Sequence, residues 1–296
     1  MHQLPRTIAI GMSALGVGAA GVLATGDARP TTNAAVPPIR EAYRVFVEPS
    51  GKLLVADGAG GAGRVFRVNP TTGRRTVIAG TGGRSFRLRA SSLRSSLGRV
   101  TDVASSKGNV YAIASSRLIK INRKGRPVLL ARFSAALSMA VAPDGSFYVT
   151  DDVGGRVLRF RRGRVRTVAR GFSQPIGVAV TSAGAVYVTS GHDGGRVERL
   201  GPNGTRSTVL GGLKLPVYLS NSPDGSLLVV DHVSHTSKGT LLRLESDGTV
   251  TTLSSGVVPA FSSAAETAGG VIYVSSFLRP TVGRLEGGRV VPVGTK

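Results

Sequence analysis

The chain has 296 residues and no cysteine, which excludes disulfides, a thiolate nucleophile, a zinc–thiolate site and a lipid-attachment cysteine. Its 38 Lys and Arg residues against 16 Asp and Glu residues give a formal net charge of +22, a balance that favours polyanionic partners. Apolar residues make up 41% of the sequence, enough for one continuous core in a single domain.

The first 28 residues predict a targeting segment. A short basic start is followed by an apolar run over residues 8 to 24, and small residues then offer cleavage after Ala24 or Gly26. This order is typical of a Sec-type signal peptide, so we expect a secreted or extracytoplasmic, envelope-located protein. The run of about 17 residues also reaches the lower limit for an uncleaved membrane anchor, which is the alternative. Residues 29 to 38, with three prolines, predict a linker.

One sequence phrase, Gly-x-apolar-Tyr/Leu-Val-x-Asp/Ser, recurs six times about 40 residues apart. Its glycines are Gly51, Gly108, Gly145, Gly184, Gly225 and Gly270. Three positions later stand Leu54, Tyr111, Tyr148, Tyr187, Leu228 and Tyr273, and three positions further Asp57, Ala114, Asp151, Ser190, Asp231 and Ser276. Each unit continues into a Val/Leu-x-Arg/Lys strand that ends at Arg67, Lys120, Arg159, Arg199, Arg243 or Arg284. A repeat of this period indicates a solenoid or a propeller.

Each repeat contains four short apolar stretches separated by turn residues. In the fourth unit these predict strands at 177–181, 185–189, 196–200 and 207–210, joined by Gly-containing links that favour antiparallel pairing. No useful helical periodicity follows residue 27. We therefore predict an all-β fold, a six-bladed β-propeller of four-stranded antiparallel blades over residues 39–296, with the repeat tyrosines buried between blades. The first interval is the longest, and its excess lies in a loop between Gly80 and Arg99, which we expect outside the core.

Several motifs around that loop carry a family resemblance. Thr76-Val77-Ile78-Ala79-Gly80-Thr81-Gly82, then Ser91-Ser92-Leu93, Thr101-Asp102-Val103-Ala104 and Gly108-Asn109-Val110-Tyr111 resemble the NHL-repeat β-propellers, especially their secreted bacterial members. The resemblance implies a fold that serves as sensor, adhesion module, scaffold or occasional enzyme. The family's loop usually carries Gly-Asp-Gly, whereas this chain has Arg84, Arg87, Arg89 and Arg94 there.

Sister families of this fold suggest an enzymatic alternative. Gluconolactonase-like propellers hold one divalent metal with a Glu, an Asn and an Asp, and Glu41 is similar to the first ligand. Val217 and Ile176 stand where the resemblance would require the asparagine, and hydrocarbon side chains cannot bind a hard cation. We therefore expect no cofactor, with one divalent cation such as Ca²⁺ as the alternative.

Acidic and histidine residues follow the second strands, whose loops open onto one face near the propeller axis. The candidate axial-face rim comprises Glu41, Asp57, Asp151, Asp152, His192, Asp193, Asp231, His232 and His235. Such groups can bind a ligand or act in acid–base catalysis, as the similarity to virginiamycin B lyase, a propeller with a His-dependent site, implies. The favoured interpretation is structural, with each repeat Asp hydrogen-bonded to the following turn.

The positive charge is unevenly distributed. Residues 84 to 170 contain 19 basic and 4 acidic residues, a net charge of +15. We predict a polyanion-binding surface at Arg84, Arg87, Arg89 and Arg94, for an anionic polymer or protein of the cell envelope. The alternative is a merely soluble basic surface, because the six repeat cations are expected to pack along strand faces. The absence of tryptophan argues against specific nucleic-acid binding, and we expect a monomer that contacts membrane only through an uncleaved N-terminal segment.

These observations favour an exported, non-enzymatic binding module over a metal-dependent lactonase-like or lyase-like enzyme that uses the axial face. The residues at the propeller axis distinguish the binding module from the enzyme. Three or more carboxylate, Asn or His groups that converge there would favour catalysis, and a closed channel would favour binding.

Overall fold

The computed structural model describes residues 36–191, 194–232, 238–257, 261–276, 278 and 281–294. The predicted signal peptide and most of the predicted linker lie outside these residues, and residues from 36 onward belong to one compact unit. Within the described part, the only helical segments are three single 3₁₀ turns, Ala59–Gly61, Ser92–Arg94 and Pro202–Gly204, and no helix is long and apolar enough to cross a bilayer.

Of the described strands, 24 form six antiparallel sheets of four consecutive strands each, and the other two pair with each other in a small sheet of their own. Blade 1 comprises β1 (Ala42–Val47), β2 (Leu53–Asp57), β3 (Arg64–Val68) and β4 (Arg75–Ala79), and an insertion with β5 (Phe86–Arg87) and β6 (Ser96–Leu97) follows. Blade 2 comprises β7 (Val100–Ser106), β8 (Asn109–Ala114), β9 (Arg117–Ile121) and β10 (Pro127–Arg132). Blade 3 comprises β11 (Ala136–Val141), β12 (Phe147–Asp151), β13 (Arg156–Arg161) and β14 (Arg164–Arg170).

The remaining blades have the same strand order. Blade 4 comprises β15 (Val178–Val180), β16 (Val186–Ser190), β17 (Gly195–Leu200) and β18 (Arg206–Leu213). Blade 5 comprises β19 (Leu215–Asn221), β20 (Leu227–His232), β21 (Gly239–Leu244) and β22 (Val250–Val257). Blade 6 comprises β23 (Ser263–Glu266), β24 (Ile272–Ser276), β25 (Thr281–Glu286) and β26 (Arg289–Pro292).

The first strand of each blade is innermost, and these six strands contact one another in a ring. Strands β1, β7, β11, β15, β19 and β23 are neighbours in that order, and β23 packs against β1. This arrangement confirms the predicted six-bladed propeller. The six repeat glycines all have φ between 72° and 93°, a region that only glycine enters without strain, at the turn between the first and second strands.

The core lies between neighbouring blades. Val65 of blade 1 packs with Val103 and Ile119 of blade 2, and Phe66 of blade 1 packs with Val282 of blade 6, which closes the ring through side chains. A backbone hydrogen bond from Gly294 N to Pro70 O, 3.1 Å long, joins the same two blades.

The repeat tyrosines lie between blades, but the prediction that they are buried is only partly correct. Tyr273 is buried with 9% exposure, whereas Tyr111, Tyr148 and Tyr187 are half-buried. Each faces the repeat cation of the third strand across the sheet, as in the pair Tyr148 and Arg159. The Arg159 guanidinium lies 5.5 Å from the Tyr148 ring centre, so a charged side chain covers the ring and stays in contact with water.

The insertion is an ordered element, and the expectation that it lies outside the core was wrong. Leu97 is fully buried in the cluster between blades 1 and 2, and Ser92 and Ser95 are also buried. Ser92 Oγ donates to Ile78 O at 2.7 Å, and Thr81 N donates to Ser95 O at 2.9 Å. The small hydroxyl residues of the insertion therefore hold it against blade 1.

Candidate functional site

The repeat aspartates lie at one face of the propeller, each at the end of a second strand. Asp57 Oδ1 accepts hydrogen bonds from the backbone N–H groups of Arg40 and Glu41, at 3.2 and 2.8 Å. Asp151 Oδ1 accepts one from Ala135 N at 2.9 Å. In blade 5, Asp231 Oδ1 accepts from Lys214 N and Leu215 N at 3.1 and 2.8 Å. These bonds fasten the start of the first strand of the same blade, whereas we expected bonds to the following turn.

The two adjacent acidic residues at the end of β12 have different environments. Asp151 is fully buried, and its Oδ2 pairs with Arg156 Nε at 2.8 Å. Asp152 is half-buried, and its pKa is raised by burial and by the neighbouring Asp151 charge. Asp57 in blade 1 is also fully buried, and burial raises its pKa. Backbone donors and Arg156 thus occupy Asp57 Oδ1 and both oxygens of Asp151, whereas Asp57 Oδ2 is buried without a hydrogen-bond partner.

Glu41 and His232 also have structural partners. Glu41 Oε1 accepts a hydrogen bond from Gly60 N at 3.2 Å. His232 is buried, with its Nε2 2.5 Å from Phe261 O, so it links blade 5 to the segment that leads into blade 6. Burial lowers the pKa of His232, which keeps the imidazole neutral at physiological pH.

The rim residues that the structure describes are not gathered into a metal site. Within the described ranges, no group of three or more His, Asp and Glu side chains is placed to bind one ion. The candidates His192, Asp193 and His235 lie outside the described residues.

The propeller axis itself holds a buried polar network that the sequence did not predict. Asp102 of β7 is fully buried and accepts four hydrogen bonds: from Val103 N (2.6 Å), Met139 N (2.7 Å), Ser138 Oγ (2.9 Å) and Tyr218 Oη (2.9 Å). Its Oδ1 also lies 3.5 Å from Arg44 Nε. One carboxylate therefore connects blades 2, 3 and 5 with Arg44 of blade 1 across the axis.

Irregular pairing in the first strands positions these side chains. The register of the first strand against the second shifts immediately before Arg44, Asp102, Met139 and Tyr218 in blades 1, 2, 3 and 5. A β-bulge at such a point redirects the following side chains. The irregularities in these four blades thus bring Arg44, Asp102, Met139 N and Tyr218 together at the axis.

In this network Arg44 has fewer hydrogen bonds than Asp102. Its side chain is 9% exposed, its guanidinium lies 4.1 Å from the centre of the Tyr218 ring, and Nε and Nη1 are shielded from solvent without a hydrogen-bond partner. Burial raises the pKa of Asp102, an effect that the Arg44 charge opposes, and burial raises the pKa of Tyr218 far above its usual value. The axis is therefore closed at mid-height by a polar plug, which we define as Arg44, Asp102, Ser138 and Tyr218.

The four insertion arginines form an exposed basic surface, which we call the insertion patch. Arg84, Arg87, Arg89 and Arg94 are all exposed, and none forms an ion pair within the part of the chain that the structure describes. The nearby Arg117 instead covers the Phe86 ring at 4.5 Å and donates to Ser115 O. The insertion thus presents positive charge to solvent from an ordered backbone.

A second basic surface follows the outer edge of blade 3, where arginines face one another across β13 and β14. The opposed pairs are Arg156 with Arg170, Arg159 with Arg166 and Arg161 with Arg164. We call these six residues the arginine ladder. The β13 members reach Asp151 or Asp144, whereas the β14 members are exposed and have no acidic partner in the described structure. Like charges directly opposite destabilise a sheet, so this charge has a cost in stability.

No protein-family model and no curated protein sequence matches the chain. Several solved structures are similar to it. Virginiamycin B lyase from Staphylococcus aureus is 19% identical over 87% of this chain and 86% of its own, with a TM-score of 0.58. A gluconolactonase from Xanthomonas campestris is 14% identical over 83% and 86%, with a TM-score of 0.61. A chain of a nidogen/laminin complex is 16% identical over 81% and 91%, with a TM-score of 0.63. The shared fold is the six-bladed β-propeller.

At this identity, the similarity shows the fold alone. The two positions that the sequence resemblance compares with the family's asparagine lie at first strands, Val217 within β19 and Ile176 two residues before β15. The backbone of Ile176 is hydrogen-bonded: its C=O accepts from Thr150 Oγ1 at 2.8 Å, and its N–H donates to Thr189 O at 3.0 Å.

Proposed function

We propose that this propeller is an exported binding module for an anionic polymer of the cell envelope. The observation that carries the proposal is the insertion patch, four exposed arginines without acidic partners in the described structure, on a backbone that is fixed to the core. An ordered array of guanidinium groups binds a polyanion at a smaller entropic cost than a flexible one. Arg also forms bidentate contacts with carboxylate and phosphate groups, which Lys cannot do.

The charge balance around the patch supports the same function. All four acidic residues between positions 84 and 170 lie in blades 2 and 3, and Asp102, Asp144 and Asp151 already pair with arginines. The β14 members of the arginine ladder keep their charge uncompensated, so blade 3 extends the positive field. Bound anions would relieve the repulsion between opposed arginines of the ladder.

Salt-dependent binding tests the proposal, with polygalacturonate as the probe. Wild-type protein should bind with an affinity that falls steeply as salt rises, because cationic contacts release condensed counterions. The variant R84S/R87S/R89S/R94S should bind more weakly, with a log–log salt slope that is smaller by roughly one for each arginine that no longer pairs with the polymer. Its melting temperature should match that of the wild type, since backbone and serine hydrogen bonds and Leu97, not these four side chains, hold the insertion in place.

A matched variant distinguishes the effect of the patch on binding from the effect of the protein's net charge. R74S/R196S/R199S/R289S removes the same number of exposed arginines from blades 1, 4 and 6. This control should keep near-wild-type affinity and salt slope. Equal weakening by both variants would mean that only the net charge of the protein matters, and unchanged binding by the first variant would refute the patch.

The enzymatic alternative makes different predictions. A lactonase-like or lyase-like propeller would turn over a lactone or a streptogramin only with added Ca²⁺ or another divalent cation, and Glu41→Gln would abolish that activity. Such a result would replace the binding-module proposal. A binding module should show no turnover, and chelation should not change polymer affinity.

A further inference from the structure

A cavity of about 370 Å³ lies on the axis, on the side of the polar plug opposite to the aspartate rim. The ends of the first strands of blades 1 to 5 line it, with Phe46, Met139, Val180 and Leu219 as apolar walls. Hydroxyl and amide groups lie at the turns that lead to the second strands, among them Ser106 and Asn221. The volume is at the lower end of the range for small-molecule pockets.

Arg44 provides a charged group at the inner end of this cavity. Its side chain lines the cavity, is nine-tenths buried and has two guanidinium nitrogens without hydrogen-bond partners. Asp102 does not supply the missing bonds, since three donors bind its Oδ2, Val103 N binds its Oδ1, and Arg44 Nε lies 3.5 Å from that Oδ1. Both nitrogens are shielded from solvent, so the guanidinium has to turn towards the cavity before an entering acceptor can bond to them. A buried donor without a partner is costly, so that acceptor would then be bound favourably.

The mouth of the cavity favours an anion. Acidic residues of the turns between first and second strands are already paired: Glu48 with Arg67, Asp144 with Arg159 and Asp224 with Arg243. Lys107, next to Ser106 in the blade 2 turn, is exposed and has no ion pair within the described structure. The unbalanced charge at this face is therefore positive.

We propose that the cavity binds a small organic monocarboxylate. Its carboxylate accepts hydrogen bonds from the Arg44 guanidinium, and its apolar body lies against Phe46, Met139 and Leu219. A monoanion fits better than phosphate because one arginine, partly compensated by Asp102, faces the cavity, and the walls are hydrocarbon. This site is separate from the insertion patch and does not depend on the polymer function.

Binding of benzoate to the full chain, measured by calorimetry or ligand-observed NMR, tests the proposal. Wild-type protein should bind one benzoate saturably in the millimolar range or below, and benzamide and inorganic phosphate at least tenfold more weakly. Two variants locate the site. R44M/D102N removes the guanidinium without leaving an unpaired buried charge, and S106W fills the mouth while keeping Arg44. Both should weaken benzoate binding at least tenfold.

Ser50→Trp is the matched control, because Ser50 is an exposed turn residue of blade 1 that does not line the cavity. It should bind benzoate like the wild type. If R44M/D102N does not fold, the comparison of S106W with S50W shows whether benzoate binds in the cavity. Absence of saturable benzoate binding by the wild type, equal affinity for benzamide, or binding that survives S106W would overturn the proposal.

Discussion

Replacing Asp102 by Ala should destabilise the propeller far more than the same change at Asp144. Asp102→Ala leaves the Tyr218 and Ser138 hydroxyls and two backbone N–H groups without an acceptor, and it leaves the Arg44 charge uncompensated. Removal of one partner from a buried ion pair costs about 3–5 kcal/mol. For a domain of this size, each kcal/mol lowers the melting temperature by about 2–4 °C, so we expect a decrease of about 6–20 °C.

Asp144 is the appropriate comparison because it also pairs with arginine, but its side chain is 36% exposed. Exposed ion pairs contribute up to about 1 kcal/mol, so Asp144→Ala should lower the melting temperature by no more than about 4 °C. Calorimetry and circular dichroism at pH 7 measure both variants. If Asp102→Ala melts no lower than Asp144→Ala, the axial network does not hold the blades together.

Three further predictions concern packing, acid stability and export. Gly177→Ala should lower the free energy of unfolding by about 1–3 kcal/mol, because its Cβ would lie 2.8 Å from a backbone nitrogen of blade 5. Gly269→Ala, where the added methyl group meets nothing closer than 3.9 Å, should change it by less than about 0.5 kcal/mol in the same urea titration. The pKa of Asp144 is held at about 2, chiefly by hydrogen bonds from Ser146, so its contribution is present above its unfolded pKa of 3.8 and lost as pH falls through about 2. Wild type and D144N should therefore differ by up to about 1 kcal/mol at pH 6 and converge towards pH 2, and a constant difference would contradict this assignment. Protein recovered from the producing cell should begin shortly after Ala24 or Gly26 and lie outside the cytoplasm, and soluble cytoplasmic protein that retains Met1 would count against export.

The fold could be predicted from the sequence because its determinants are local and repeated. Each repeat glycine occupies a positive-φ turn position, and the alternating apolar residues after it define a second strand. The ends of the fourth-unit strands were predicted to within three residues, for example 207–210 against the observed Arg206–Leu213. The signal of a single repeat is weak, but its six repetitions together predict the propeller clearly.

The axial network could not be predicted in this way. In the sequence, Asp102 belongs to a family motif, and Tyr218 stands out only as a neighbour of Val217. What brings them together is a β-bulge in each first strand, and a bulge leaves no reliable mark in a single sequence. One signal was available: Tyr43 and Tyr218 are the two tyrosines outside the repeat position, and both lie in first strands.

The basic surface was predicted in part. The excess of arginine between residues 84 and 170 is a property of composition, and in the insertion Arg87 and Arg89 alternate with Phe86 and Leu88, which pack against the core between blades 1 and 2. The opposition of arginines across β13 and β14 depends on strand register, which composition does not contain. The burial of Leu97 likewise depends on how the insertion folds back on blades 1 and 2.

The arginine ladder has a consequence for self-association. Strand β14 is the outer edge of its sheet, and an open edge can pair with the edge of another copy. The exposed cations of β14 and the register shift in its pairing with β13 both hinder such pairing. A polymer that neutralised those cations would also remove the repulsion that keeps two copies apart. The number of molecules bound per length of polymer, in addition to their affinity, would then determine whether the protein stays dispersed or aggregates.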